Sequence, residues 1–175
     1  MPMWPFRRSR SDEDADRLLA AVTNASRRPS FFGPGRIPDT LEGRFELMTL
    51  NGSLALIRLQ AEPDLARLSQ AFTDKLFREF DAGLRELGVG DTSVPKRMHK
   101  MAAAFYGRLQ AYSPAITVGD KEAVAAAIGR NFWGDEEYAF AQAVADYAAG
   151  VHSTQRAGPL EAMFEPHGWP APGET

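Results

Sequence analysis

A chain of 175 residues and 19.2 kDa has room for one domain with a sizeable core, whereas two domains would each be small. Its net charge of −3 argues against general DNA or RNA binding while leaving room for a local basic face. The absence of cysteine excludes disulfides, thiolate metal sites and cysteine nucleophiles, and suits a reducing compartment.

Residues 1–10, MPMWPFRRSR, carry two aromatic side chains and three arginines with no apolar stretch behind them. They read as a flexible arm, neither a secretory signal nor a membrane span. Trp4, Phe6, Arg7, Arg8 and Arg10 are the candidate membrane-contact residues, because indole rings and cationic side chains both favour a bilayer surface. An arm this short gives weak, reversible contact, and its plain alternative is a terminus without a partner.

Ser11 is the expected cap of a first helix, with the acidic run at 12–16 at its positive end and Leu18, Leu19 and Val22 as its apolar face. Residues 27–38 hold three prolines and two glycines and read as a loop, with Phe31 and Phe32 plugged into the core. Asp39 and Glu42 form a capping-box-like pair opening a helix over 40–61. That helix is apolar on two sides, through Leu41, Phe45 and Met48 and through Leu47, Leu50, Leu54 and Ile57. Only a narrow polar stripe remains, Glu42, Glu46, Thr49 and Ser53, so the helix should lie centrally, with Gly52 marking a close crossing.

A third helix over 64–87 shows Leu65, Leu68, Phe72, Leu76, Phe80, Leu84 and Leu87 at steps of three and four, and Gly88 ends it. The fourth, over 95–112, presents Met98, Met101, Phe105 and Leu109 and is expected to stop before Pro114. Asp120 caps a fifth carrying Val124, Ile128 and Phe132, and Asp135 a sixth carrying Phe140, Val144, Tyr147 and Val151. No segment sustains period-two alternation. The expectation is all-α: an irregular single-domain bundle of about six helices over 11–157, with a mobile tail over 158–175.

Catalytic and metal motifs are missing. His99, His152 and His167 lie far apart with no second ligand at helical spacing, so no metal site is expected. There is no G-x-S-x-G, H-E-x-x-H or phosphate loop, and no catalytic residue is assigned. The corner between the third and fourth helices is richer. It carries Asp91, then Lys96, Arg97, His99 and Lys100, with Arg108 further on, against Met98, Met101, Phe105 and Tyr106. Charge beside adaptable apolar surface reads as a docking site, and its bland alternative is a solvated helix face with a capping aspartate.

The same stretch carries a family resemblance. Phe77–Asp91 reads FxxFDxxLRExGVGD, followed by VPKxMxxM at Val94–Met101 and AFYGR at Ala104–Arg108. A second block holds Arg28-Pro29-Ser30-Phe31-Phe32 and then Pro38-Asp39-Thr40-Leu41-Glu42-Gly43-Arg44-Phe45. Together they resemble the ubiquinol–cytochrome c chaperone family, assembly factors of the respiratory cytochrome bc complex. The chain departs from the family pattern at Phe32, where a tyrosine is usual, and at Asn51, where a histidine is expected.

The resemblance implies a non-enzymatic chaperone, without cofactor, that binds newly made cytochrome b. Client binding would fall to Asp91, Lys96, Arg97, Met98, Lys100, Met101, Tyr106 and Arg108. A bacterial, cytoplasmic member in peripheral contact with the inner membrane is expected, and neither the ribosome nor a small partner protein is assumed. Two other readings stay open: a helical enzyme or carrier with a lipid or quinone between its helices, and a ribosome- or RNA-associated module using the basic face.

Overall fold

The computed structural model describes residues 9–172. Among them are six α-helices and no strand: α1 (Arg10–Ser26), α2 (Leu41–Gln60), α3 (Ala66–Glu86), α4 (Val94–Val118), α5 (Lys121–Trp133) and α6 (Ala139–Ala157). α2 packs against each of the other five. Its burial is more complete than its sequence suggests. Of the four residues in the expected polar stripe only Glu42 faces solvent, while Glu46, Thr49 and Ser53 are buried. From Glu46 to Ile57, neighbours on every side leave no room for a solvated face. A Cβ built on Gly52 would lie 2.9 Å from Leu76 and 3.3 Å from Phe105, so this glycine does sit at a close crossing with α3 and α4.

Several helix starts differ from expectation because a neighbouring residue makes the capping bond. Ser9, not Ser11, caps α1 by accepting from the Asp12 N–H. Thr40 rather than Asp39 caps α2, its Oγ1 accepting from Gly43 N–H at 3.1 Å, and Asp39 instead pairs with Arg44 at 2.6 Å. Gly43 is itself constrained, since a Cβ there would fall 2.1 Å from the Pro38 carbonyl oxygen. Backbone cannot yield as a flexible side chain does. Gly43→Ala is therefore expected to cost about 1–3 kcal/mol in a urea titration, and an unchanged midpoint would contradict this packing.

α3 ends as the sequence indicates. Gly88 has φ of 79°, with its N–H bonded to Arg85 O and the Val89 N–H to Leu84 O, the paired bonds of a Schellman cap. Leu87 departs from the apolar stripe and is 59% exposed. α4 runs through Pro114 to Val118, because burial of Tyr112 and Ile116 on either side of the proline outweighs one lost backbone bond. Asp120 caps α5 as expected. Asp135 does not cap α6: its carboxylate accepts from Glu137 N–H within a turn, and α6 begins only after Tyr138, whose ring stacks on Trp133 at 4.3 Å.

The largest difference lies after α6. Residues expected to be mobile form two short 3-10 turns, Leu160–Phe164 and Pro166–Gly168, and bury Met163, Phe164 and Trp169. Trp169 Nε1 donates to Met163 O at 2.8 Å, Gln155 Nε2 to Gly168 O at 3.2 Å, and Arg28 to Trp169 O. Proline and glycine here make compact turns that seat an indole. Residues 173–175 lie outside the described residues.

Candidate functional site

The structure separates the candidate docking residues of the α3–α4 corner. Lys96, Arg97 and Lys100 stand exposed on the first turns of α4. Asp91 is also exposed and is held by Arg85 at 2.5 Å. Met98 and Met101 are half-buried against the core. Tyr106 is 45% exposed and leans on Phe77 at 5.8 Å, beside a different cleft whose lining includes Leu56, Leu59 and Thr73. Arg108 turns inward. Its Nε and Nη2 donate to the two carboxylate oxygens of Glu46 at 2.6 and 2.5 Å, tying α4 to α2. Burial pushes the Glu46 carboxyl above its ordinary value while Arg108 pulls it down. Of the arm residues, Arg10 begins α1 and lies 3.9 Å from Asp14, while Trp4, Phe6, Arg7 and Arg8 lie outside the described residues.

What the sequence did not single out is a groove of about 500 Å³ over the first half of α2. Phe32, Phe45, Met48, Phe80, Leu84 and Met101 supply its apolar surface, and Arg27, Arg44, Asp39 and Glu79 its charged rim. Leu41 is 41% exposed at its edge. Each wall has a local cause. The 3-10 turn Pro29–Phe31 buries Phe31 edge-on against Tyr147 at 4.9 Å, which leaves Phe32 half-buried on the groove side. Phe45 and Phe80 meet at 5.2 Å, joining α2 to α3. The two sequence blocks that carry the family resemblance, distant in the chain, therefore line one groove: Pro29 to Phe45 on one side, Phe80, Leu84 and Met101 on the other.

Next to the groove, Ser26, Asn51 and Tyr147 form a hydrogen-bonded chain that holds helices together. Ser26 donates to Val22 O at 2.8 Å and accepts from Asn51 Nδ2 at 2.9 Å, while Tyr147 donates to Asn51 Oδ1 at 2.9 Å. Asn51 thus joins α1, α2 and α6. Burial, opposed by Arg28 and the Asn51 bond, pushes the Tyr147 phenol well above its usual range, which makes it a poor acid–base group. Among the described residues no three His, Cys, Asp or Glu side chains converge as metal ligands.

Comparison with known proteins bears on this arrangement directly. The model of the family described as Ubiquinol-cytochrome C chaperone matches residues 35–165, three quarters of the chain. The chain belongs to the ubiquinol–cytochrome c chaperone family. A solved structure, that of the Cbp3 homologue from Brucella abortus, is 38% identical with a TM-score of 0.77, over 88% of this chain and 87% of that one. No curated protein sequence matches. The family match holds most of the groove, from Asp39 to Met101, and starts after the Pro29–Phe32 wall. Membership in a chaperone family fits an assembly-factor role and an open apolar groove with charges at its rim.

Proposed function

We propose that this protein is a non-enzymatic chaperone that holds newly made cytochrome b during assembly of the ubiquinol–cytochrome c reductase, at the cytoplasmic face of a bacterial inner membrane. The convergence of both signature blocks on one groove carries the reading. Before its partners arrive, such a client presents apolar segments and polar loops together. Phe32, Phe45, Phe80 and the flexible Met48 and Met101 offer an adaptable apolar floor for one such segment. The rim charges flank it, and the exposed Lys96, Arg97 and Lys100 precede Met101 on α4. The mode is that of a helix or extended segment lying in a groove, with a few anchors taking most of the binding energy.

The groove volume also falls in the range of small-molecule sites, so a quinone or lipid is the rival occupant. Its charged groups stand at the rim, which suits a passing polypeptide better than an enclosed head group. Leu41 is the position for a test, being exposed at the edge of the groove. An acid in the first turn of a helix is favourable, so Leu41→Glu should fold normally. Cells carrying this variant in place of the natural chain are expected to keep its level and lose most of their cytochrome b and assembled reductase. Unchanged reductase accumulation would refute the groove as the client site.

A further inference from the structure

Cations along α1, α2 and α3 mostly have partners: Arg17, Arg44, Lys75 and Arg85 each hold a carboxylate at 3.0 Å or less. Lys96, Arg97 and Lys100 have none among the described residues and are exposed. They also stand where a helix disfavours them. The first turn of α4 carries no acidic residue and Ser93 makes no side-chain cap, so Lys96 and Arg97 sit unscreened at the positive end of the helix, with Lys100 one turn further on. Folding alone gives no reason for that choice. The carboxylates at this corner are Glu86 and Asp91, and the second is taken by Arg85. Local charge is therefore positive in a chain whose net charge is −3. At the other side of the same corner Leu87 ends α3, 59% exposed, and the 88–93 turn that carries Asp91 joins it to α4.

We infer that this corner is a contact surface for an anionic phospholipid bilayer. Lys96, Arg97 and Lys100 would meet the head groups while Leu87 enters the acyl boundary. Each cation close to such a surface strengthens binding by roughly fivefold, so three supply a useful, salt-sensitive attraction without irreversible insertion. Nucleic acid fits less well, since His99 is the one exposed ring among these cations, with no Phe, Tyr or Trp beside it to build a stacking platform, and Leu87 would find no partner there. No helix among the described residues is long and apolar enough to cross a membrane, so contact of this kind is peripheral. Gly83, Leu84 and Met101 bring the groove to the same end of the α3–α4 hairpin. A bilayer bound at the corner would face the groove towards emerging membrane segments, but the lipid contact does not depend on what the groove holds.

Sedimentation of the full chain with vesicles tests this, comparing pure phosphatidylcholine with mixtures containing phosphatidylglycerol. The wild-type protein should bind only the anionic vesicles, and less at high salt. K96E/R97E/K100E places acids at a helix start, where they are favourable, so it should fold normally and lose at least tenfold in vesicle affinity. Leu87→Ser should lose severalfold, and Leu41→Glu should bind vesicles as the wild type does. The proposal is overturned if the triple variant still binds anionic vesicles fully, if the wild type binds none, or if the same residues hold an RNA oligonucleotide more tightly than the vesicles. Loss of reductase assembly in Leu41→Glu with intact vesicle binding separates the two readings, since each can then fail alone.

Discussion

Arg108→Ala is expected to lose about 3–5 kcal/mol of stability at neutral pH, because it strands a buried carboxylate. Glu46 is 6% exposed, and the two guanidinium bonds from Arg108 are the only ones its carboxylate makes to a cation among the described residues. Burial already pushes the Glu46 carboxyl above its ordinary 4.5, and without Arg108 nothing offsets that push. A carboxyl whose folded pKa exceeds its unfolded value binds protons more readily in the folded state. The associated stability is present below the unfolded value and is lost as pH rises through the folded one. Acidification towards about pH 5 should therefore restore part of what Arg108→Ala loses. Replacing both partners by apolar residues, as in Glu46→Leu with Arg108→Met, should be much milder than the single change. Urea titrations at two pH values read all three outcomes. A loss below about 1 kcal/mol, the range of an exposed pair, would contradict the burial of Glu46.

Trp169→Ala should be nearly as damaging, at about 3–5 kcal/mol, although it lies only a few residues from the end of the described chain. The indole is 1% exposed and donates to Met163 O, and the same backbone segment is gripped by Gln155 and Arg28. Removing it leaves a large cavity under α6 and frees the turn that buries Met163 and Phe164. The effect should extend to the groove, because Arg28 lies between two of its lining residues, Arg27 and Pro29. A thermal melt unchanged by the substitution would mean that the segment is a loose tail after all.

That segment shows where sequence reading stops. Helix identity was legible because Leu68, Phe72, Leu76, Phe80 and Leu84 recur at helical spacing, and all five are buried. The central place of α2 followed from its two apolar sides. Residues 158–169 have no period to read, since 3-10 turns repeat too briefly, and only tertiary partners reveal that Trp169 is an anchor. Caps failed by one or two residues wherever several candidates adjoin, as at Asp39 and Thr40, because the choice depends on which side chain a neighbour such as Arg44 claims first.

The candidate site was half legible. Lys96, Arg97 and Lys100 are exposed as a docking surface requires, and Met101 reaches the groove. Arg108 belongs to the α2–α4 ion pair, and Tyr106 faces another cleft. Spacing could not have joined Phe32 and Phe45 to Phe80 and Leu84, because they meet only after α2 crosses α1 and α3. The signal that did exist was the pair of resemblance blocks, whose residues turned out to share one groove.

In-cell photo-crosslinking from position 41 reports what the groove holds, because that side chain lies exposed at its edge. A photoreactive residue there should capture newly made cytochrome b as a defined adduct. The adduct should fade once the reductase is assembled and should be absent when the same residue is placed at position 118, an exposed site at the far end of α4. Capture of cytochrome b from position 118 but not from position 41, or no cytochrome b at either, would contradict the account.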